Sequence, residues 1–240
     1  MVSGLLTAAG PDPASAEFEL AEGTYEVLVD ETSPAYLGGL ADVVAAAGRV
    51  LPLLADAYRT GAGVPYAAYG PDGVSAQSAL NRPSFVNAMV SGWLPQLPDV
   101  LTRLRDEADP ARVADLADGS AGWSPRYDLV LLIECVHDFP RPVEVLRYAR
   151  AAVRRGGTVL VVDERAAESF TAPGDEIERF FAAASAIWCL PQGRVGPDSE
   201  PVGTLIRPAA MLDLARRAGY ADGQILPIEH PVWRFYRLVP

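Results

Sequence analysis

The stretch "YDLVLLIECVHDFPRPVEVLRYARAAVRRGGTVLVVDE", residues 127–164, decides the fold. It begins and ends with near-continuous apolar runs, residues 127–134 and 156–164, which are typical of strands buried on both faces of a parallel sheet. The segment between them has apolar residues at helical spacing, namely Val143, Val145, Leu146 and Ala149. This order of strand, helix and strand predicts a βαβ unit with two neighbouring parallel strands.

His137 and Asp138 follow the first of these strands, at the carboxyl edge of the sheet, where ligands bind in open α/β folds. A neutral imidazole at that edge can accept a proton from a substrate hydroxyl, and Asp138 can orient it. In the alternative, structural interpretation, His137 bonds backbone groups of the turn and Asp138 caps the helix that begins near Arg141 and Pro142. His137 and Asp138 are therefore the candidate catalytic pair, with both interpretations open.

Acidic residues end both predicted strands. Glu134 either receives a polar group of a ligand or is a solvated strand end. Asp163 and Glu164 end the second strand at the same edge, where they either contact substrate or pair with Arg165. Cys135 is interpreted as a small apolar residue of the core rather than a nucleophile.

Composition and charge restrict the class of protein. A chain of 240 residues that is 50% hydrophobic can bury a substantial core. Its 20 Lys and Arg residues against 31 Asp and Glu residues give a formal charge of -11, which repels phosphate backbones and argues against a nucleic-acid partner. Cys135 and Cys189 are the only cysteines and there are two histidines, so we predict neither a disulfide framework nor a metal site.

The sequence pattern does not predict a targeting signal or a membrane span. The start "MVSGLLTAAGPDP" lacks a cationic front and a sustained apolar run. No segment approaches the roughly 20 apolar residues that a membrane span needs. We therefore predict a cytoplasmic protein with reduced cysteines and no membrane partner.

The regions on either side of this stretch have different patterns. Residues 17–29, "EFELAEGTYEVLV", alternate around Glu22-Gly23 and predict a β-hairpin, and Ser33 is a possible cap of the helix that follows. The C-terminal segment predicts a helix and then two antiparallel strands, around residues 225–228 and 233–238. The chain is thus expected to be mainly helical at first and then α/β.

Four stretches resemble the class I S-adenosylmethionine-dependent methyltransferases that carry an N-terminal winged-helix module. They are "NRPSF" with "WLPQLP", the stretch quoted first, "FTAPGDEIERF" and "LPIEHPVWRFYRL". The resemblance covers most of the chain and implies S-adenosylmethionine as cofactor, a small-molecule hydroxyl or amine as methyl acceptor, and His137 as base. It also implies a homodimer formed through the N-terminal module, of which "VSGLLTAAG" and "EFELAEGTYEV" resemble the last helix and the wing.

The same resemblance assigns the substrate side of the site. Trp188 and Cys189, in "SAIWCLPQG", would belong to a lid helix, and His230 and Trp233, in "EHPVWRF", to a substrate-side loop. The candidate substrate-binding residues are Trp188, His230 and Trp233. For both tryptophans, packing in the core is the alternative interpretation.

The chain departs from the family at the cofactor turn. Family members have a DxGxGxG turn after the first strand and an acidic residue at the end of the second, whereas "ARVADLADGSAGWSPRYDLVLL" passes from one strand directly to the next. In one alignment Asp115 to Gly119 is a degraded glycine turn, and the remaining strands keep the family order 1-4-5-7-6. In the other, "VADLADGS" is the end of the third strand and the glycine turn is missing. The candidate cofactor-binding residues are Asp115, Gly119, Gly122 and Glu134.

The fold class that follows is α/β. Residues 1–105 are expected to form the winged-helix remnant and helical dimerisation region, and residues 106–240 a shortened Rossmann-like methyltransferase domain closed by an antiparallel C-terminal hairpin. Two functions are open: a methyltransferase, or a catalytically impaired relative or deletion variant that acts as a binding or dimerisation module without cofactor.

Overall fold

The elements of the fold come from a computed structural model that describes residues 3–10, 12, 14–116 and 127–240. The strands are β1 Leu6–Ala9, β2 Glu17–Leu20, β3 Val113–Asp115, β4 Tyr127–Ile133, β5 Val153–Glu164, β6 Asp222–Ile225 and β7 Trp233–Val239. The α-helices are α1 Thr24–Leu28, α2 Gly39–Arg49, α3 Leu51–Thr60, α4 Gly70–Ser84, α5 Pro98–Leu104, α6 Pro142–Ala152, α7 Glu176–Ile187, α8 Cys189–Gly193 and α9 Pro208–Arg217. Short 3-10 helices span Tyr66–Tyr69, Leu94–Gln96 and Val136–Asp138, and a π-helix spans Phe85–Trp93.

The chain divides into two compact units. The first comprises the described residues up to Val50 together with Tyr69–Trp93. The second comprises Leu51–Ala68 and the described residues from Leu94 onward, and so contains the whole five-stranded sheet. The predicted division between residues 105 and 106 stays a prediction.

The sheet of the second unit has the strand order β3-β4-β5-β7-β6. β4 and β5 are parallel neighbours, as the βαβ pattern predicts, with Leu129 opposite Thr158 and Ile133 opposite Val162. β7 runs antiparallel to both β5 and β6, so the predicted antiparallel C-terminal pair is also confirmed. β3 lies directly beside β4, so the carboxyl ends of β3, β4 and β5 meet at one edge of the sheet.

The core of this unit forms because its strands are apolar on both faces. Val130, Leu132, Val159 and Val161 are fully buried, and α6 packs Leu146 against the same cluster. Continuous apolar strands are required here because residues on successive positions face opposite sides of the sheet, and helices cover those sides. Each fully buried Val or Leu side chain contributes about 1.5–3 kcal/mol relative to exposure.

Asp128, the second residue of β4, is a buried carboxylate that joins four segments of the second unit. Its Oδ1 accepts a hydrogen bond from Nε of Arg103 in α5 at 2.6 Å, and Oδ2 accepts one from the Arg112 backbone N–H at 2.8 Å. Arg154 of β5 forms an ion pair with Oδ1 as well. Burial raises the pKa of Asp128, but the Arg112 N–H and the two guanidinium groups outweigh it, so the pKa lies below its usual value.

Two details of the predicted N-terminal region are wrong. The hairpin pairs β1 with β2, with Leu6 opposite Leu20, whereas the second half of the predicted hairpin forms the helix α1. Gly23 adopts a φ of +77° and begins that helix instead of forming the tip of a hairpin. The alternation of residues 17–29 could not identify the pairing partner, because strand pairing is non-local. Ser33 caps no helix: its Oγ accepts the N–H of Ala35 within a turn, and α2 begins only at Gly39.

One C-terminal strand is also displaced from its predicted position. β6 ends at Ile225, where the prediction starts the strand. Residues 223–225 of β6 pair with residues 238–236 of β7. The predicted cofactor residues Gly119 and Gly122 lie outside the described residues. Among the residues described, none of the helices combines the length and the apolar character needed to span a bilayer.

Candidate active site

His137 lies in the 3-10 turn that follows β4, and the local sequence explains the turn. Glu134 adopts a φ of +51°, a left-handed conformation that takes the chain out of the strand direction one residue after β4 ends. Such conformations cost about 1–3 kcal/mol in a non-glycine residue and concentrate at functional sites. After this turn, the side chain of His137 is only 2% exposed and lies beside Asp163 at the end of β5.

Two acidic residues from the end of β5 contact His137 Nδ1. Asp163 Oδ1 lies 2.6 Å from this nitrogen, and Glu164 Oε2 lies 3.0 Å from it. Asp163 Oδ1 also accepts the backbone N–H of Glu164 at 3.1 Å, which fixes the carboxylate. On the other side of the ring, Nε2 faces Asp138 Oδ1 at 3.4 Å. The short contact that orients the imidazole is therefore made by Asp163, not by the neighbouring Asp138.

The carboxylates determine the charge of this cluster. Burial lowers the pKa of His137, but Glu164, Asp163 and Asp138 outweigh burial and raise it well above its usual value. Burial raises the pKa of Asp163, yet His137 and a hydrogen bond from Glu164 bring it below the usual value. Burial, in contrast, raises the pKa of Glu164 strongly. These shifts favour an imidazolium paired with the Asp163 carboxylate, and the protonated form of Glu164.

The side of the ring opposite Asp163 is covered by the start of α8. The Cys189 sulfur lies within 4.8 Å of a side-chain ligand atom of both Asp138 and His137. Burial, followed by the charge of Asp138, raises the pKa of this thiol to about 12. Trp188 is buried and makes an edge-to-face contact with Tyr66, with ring centroids 6.4 Å apart. Burial, with a smaller contribution from the charge of Asp138, raises the pKa of Tyr66. Tyr66 therefore lies within electrostatic reach of Asp138, and Trp188 packs against it.

Gly63 allows the 60–66 loop to lie against the end of α8. The Val64 N–H donates to the Pro191 carbonyl at 2.9 Å. A Cβ on Gly63 would lie 2.5 Å from both the Arg194 carbonyl carbon and the Val195 nitrogen. Those atoms belong to the backbone and cannot rotate away, so only glycine permits this approach.

We expect Gly63→Ala to lower the free energy of unfolding by about 1–3 kcal/mol, because the added methyl must push the loop away from α8. Chemical denaturation measures the change. Gly48→Ala in α2 is the matched control: nothing lies within 4 Å of its added Cβ, and it should be neutral or stabilise by up to about 1 kcal/mol. Equal destabilisation by both substitutions would contradict the close approach of Gly63.

Two structural alternatives from the sequence are wrong. Asp138 does not cap α6, since the N-cap residue is Arg141 and it makes no side-chain capping hydrogen bond. Asp163 pairs with His137 instead of Arg165, whose guanidinium donates to the backbone carbonyl of His230 at 3.1 Å. Cys135 is buried in the hydrophobic core cluster, as its interpretation as a core residue predicts.

His230 and Trp233 form a small stacked group at the start of β7. Their rings are 6.2 Å apart, and His230 Nδ1 accepts the backbone N–H groups of Val232 and Trp233 at 3.2 and 3.1 Å. Burial lowers the pKa of His230, in agreement with a neutral ring that accepts hydrogen bonds. Trp233 pairs with Glu164 across the sheet, so this group lies at the edge that carries the carboxylates.

Asp115 and Glu134 are the described members of the predicted cofactor set. Asp115 is exposed at the carboxyl end of β3, and Glu134 is half-buried one residue beyond β4. Two carboxylates at neighbouring strand ends can accept hydrogen bonds from the amino group of a ligand. The described residues therefore fit part of an S-adenosylmethionine site.

Two groups of side chains in the cluster have the composition of metal ligands. His137, Asp138 and Cys189 form one, and His137, Asp163 and Glu164 the other, each with one possible ligand atom per residue within 4.8 Å of the rest. The spacing of these residues in the sequence gives no such signal. Packing of α8 on the 3-10 turn is what brings Cys189 to His137.

Comparison by sequence finds no matching protein-family model and no significantly similar curated protein. Solved structures nevertheless share the fold. A structure of PigF with SAH superposes with a TM-score of 0.65 at 16% identity, covering 100% of this chain and 82% of that one. An O-methyltransferase family protein from Burkholderia thailandensis gives 0.57 at 16% identity, covering 99% and 80% of the two chains. Human N-acetylserotonin methyltransferase in complex with SAM gives 0.55 at 17% identity, covering 99% and 79%. The protein therefore has the α/β fold of these methyltransferases.

Proposed function

We propose that the protein transfers a methyl group from S-adenosylmethionine to a hydroxyl or amine of a small molecule, with His137 as the proton acceptor. The observation that carries this proposal is the contact of 2.6 Å between His137 Nδ1 and Asp163 at the carboxyl edge of a sheet of methyltransferase type. Asp163 holds the ring so that Nε2 is the nitrogen left to accept a proton. The bound cofactor would supply an activated methyl group.

The residues around Nε2 define how the acceptor would approach. Asp138 is 18% exposed whereas His137 is 2% exposed, so an acceptor would approach Nε2 past Asp138. Tyr66 and the Trp188 ring packed against it would stack on an apolar acceptor. Asp115 and Glu134 would bind the cofactor, and His230 with Trp233 would border the acceptor. Most of the catalysis would come from positioning, because the sulfonium is itself reactive.

A specific feature favours the second candidate function, a binding or dimerisation module without cofactor. Residues 116–126 alone connect β3 to β4, and these strands are direct neighbours in the sheet. This arrangement matches the alignment in which β3 is the first strand of the family order. No strand beyond β3 is present in the described part of the sheet to carry a carboxylate for the ribose hydroxyls.

Calorimetric titration with S-adenosylmethionine separates the two candidates. We expect binding weaker than the micromolar range, because residues that would hold the ribose are missing from the described sheet. Asp115→Asn should weaken the binding further, while Asp213→Asn, on the exposed face of α9, should not. Absence of heat at millimolar S-adenosylmethionine would support the cofactor-free module. Micromolar affinity would contradict the prediction that tight binding of the cofactor needs the missing strand.

The proposed base also predicts an unusual pH dependence of turnover. Because the pKa of His137 is raised, its proton-accepting form becomes populated at higher pH than that of an ordinary histidine, and turnover should rise with pH above about 6.5. The groups that face the ring are Asp163 and Glu164 of β5, Asp138 and Cys189. Asp163→Asn removes the paired charge, so the rise should move to lower pH with a lower plateau. A profile that already reaches its plateau below pH 6.5, the ordinary pKa of histidine, would contradict the assignment.

The same shift relates pH to stability. A raised histidine pKa in the folded state stabilises the protein below the unfolded value of about 6.5, and this contribution is lost as pH rises through the raised pKa. The lowered pKa of Asp163 adds stability above its unfolded value of about 3.9. The pair therefore stabilises the fold most between about pH 3.9 and about pH 6.5, where both contributions are present.

The predicted homodimer and cytoplasmic location remain proposals. In the first unit, Val44, Val86 and Val90 are 58%, 60% and 70% exposed. Apolar side chains of this kind are candidates for contact with a second copy of the chain.

A further inference from the structure

Three side chains from two elements meet on the Nε2 side of the proposed base. Asp138 Oδ1 lies 3.4 Å from Nε2 of His137, and this oxygen is buried with no hydrogen-bond partner in the described part of the chain. Cys189, at the start of α8, is buried beside both residues. One nitrogen, one oxygen and one sulfur thus lie within 4.8 Å of one another.

These three atoms form a ligand set that is suited to a thiophilic cation. Zn²⁺ binds histidine nitrogen, cysteine sulfur and carboxylate oxygen at about 2.0–2.3 Å, usually in a tetrahedral arrangement. Three protein ligands leave the fourth position to water or another small ligand. Mg²⁺ and Ca²⁺ prefer six or more oxygen ligands and are poorly matched to a thiolate.

The opposite nitrogen of His137 supports the same assignment. In protein zinc sites the second ring nitrogen of a histidine ligand commonly donates to a carboxylate, which fixes the ring and raises its basicity. Asp163 occupies that position at 2.6 Å from Nδ1. The alternative set of His137, Asp163 and Glu164 is less suitable, because the side chains of both carboxylates are at most 3% exposed, whereas Asp138 is 18% exposed and offers a path of entry.

We propose that His137, Asp138 and Cys189 form a binding site for a thiophilic divalent cation such as Zn²⁺, and that the bound ion inhibits the protein. Binding forms one bond each from the metal to Nε2, a carboxylate oxygen and Sγ, and each of these bonds replaces one between the hydrated ion and a water molecule. The thiol proton, and any proton on Nε2, pass to solvent, so no oxidant or reductant is needed. The inhibitory part of this inference rests on the proposed function, since the ion would take the lone pair with which His137 accepts a proton.

Metal binding can be tested without any turnover. The unaltered protein is titrated with Co²⁺ and Cd²⁺ under reducing conditions, and thiolate-to-metal absorption in the near ultraviolet is recorded. We expect one saturable site with a thiolate band, and competition by Zn²⁺ but not by Mg²⁺. Absence of the band, or equal competition by Mg²⁺, would overturn the proposal.

The two cysteines provide a matched pair of variants. Cys189→Ser should abolish the thiolate band and weaken the binding of Cd²⁺ at least about 10-fold, the usual effect of losing a metal-site partner. Cys135→Ser should keep the band, because Cys135 is in the core cluster and in neither ligand group. A band that disappears with Cys135→Ser and remains in Cys189→Ser would place the metal elsewhere and contradict the assignment.

A second variant tests the same site in case the Cys189→Ser protein does not fold. Asp138→Asn keeps the size of the side chain and removes its charge, so the thiolate band should remain while the affinity for Cd²⁺ falls about 10-fold. Unchanged affinity in a folded Asp138→Asn protein would exclude Asp138 as a ligand. If the metal binds as described but no methyl transfer is detected, the site is supported and the proposed function fails separately.

Discussion

Turnover of the His137→Ala variant is expected to fall by about 10²–10⁴, the usual contribution of a positioned general base. The reason is geometric: Asp163 lies 2.6 Å from Nδ1, so Nε2 is the nitrogen left for the proposed acceptor. The affinity for S-adenosylmethionine should be nearly unchanged, since the proposed cofactor residues Asp115 and Glu134 are at other strand ends. The measurement is kcat with a small-molecule hydroxyl acceptor, together with a calorimetric cofactor titration.

His137→Gln distinguishes proton transfer from packing. Glutamine fills much of the same space and can donate a hydrogen bond to Asp163, but its side-chain amide does not act as a base in water. Its turnover should therefore be as low as that of the alanine variant, and added imidazole should restore part of the rate to His137→Ala. A glutamine variant with turnover close to that of the unaltered protein would remove His137 from the mechanism.

Loss of the buried carboxylate Asp128 is expected to have the largest effect on stability. Asp128→Ala should lower the free energy of unfolding by about 3 kcal/mol, at the lower end of the range for breaking a buried ion pair. The lower end applies because the side chains of Arg103 and Arg154 are 21% and 44% exposed, so both guanidinium groups can be hydrated once Asp128 is gone. The remaining cost includes the Arg112 N–H, which loses its acceptor. Urea denaturation at neutral pH measures the change.

Asp213→Ala is the matched control, because its ion pair with Arg216 is exposed on α9 and should contribute no more than about 1 kcal/mol. pH provides a second test. A lowered folded-state pKa means that the Asp128 contribution is present above the unfolded value of about 3.9 and is lost as pH falls through the folded value. The difference between unaltered protein and Asp128→Ala should therefore shrink in acid, and a difference that grows would contradict this assignment.

The βαβ unit could be predicted because its signals are local. The apolar runs of β4 and β5 and the helical spacing of α6 lie within one stretch of 38 residues, 127–164. Parallel pairing follows from that order, because a crossover helix returns the chain in the same direction. The antiparallel pair at the C-terminus was predictable for the same reason, whereas the N-terminal hairpin was not, since β2 pairs with a segment before it instead of after it.

The candidate site could be predicted only in part. The position of His137 after a buried strand placed it at the carboxyl edge, and Asp163 and Glu164 could be placed at the same edge. Which carboxylate binds which nitrogen was not predictable, because it depends on a turn through the left-handed Glu134 and on distances of a few ångströms. The contact of Cys189 with His137 had no local signal at all.

The sequence by itself determined the type and order of the elements in the second half of the chain, because hydrophobic periodicity and turn residues act over a few positions. Only the tertiary structure decided which polar groups meet: Asp128 with guanidinium groups from α5 and β5, and His137 with Asp163 and Cys189. Such contacts join residues far apart in the chain, and their geometry is set by close packing of the core to within fractions of an ångström. Buried charges then shift one another's pKa through the low dielectric of that core, an effect that exists only once the chain has folded.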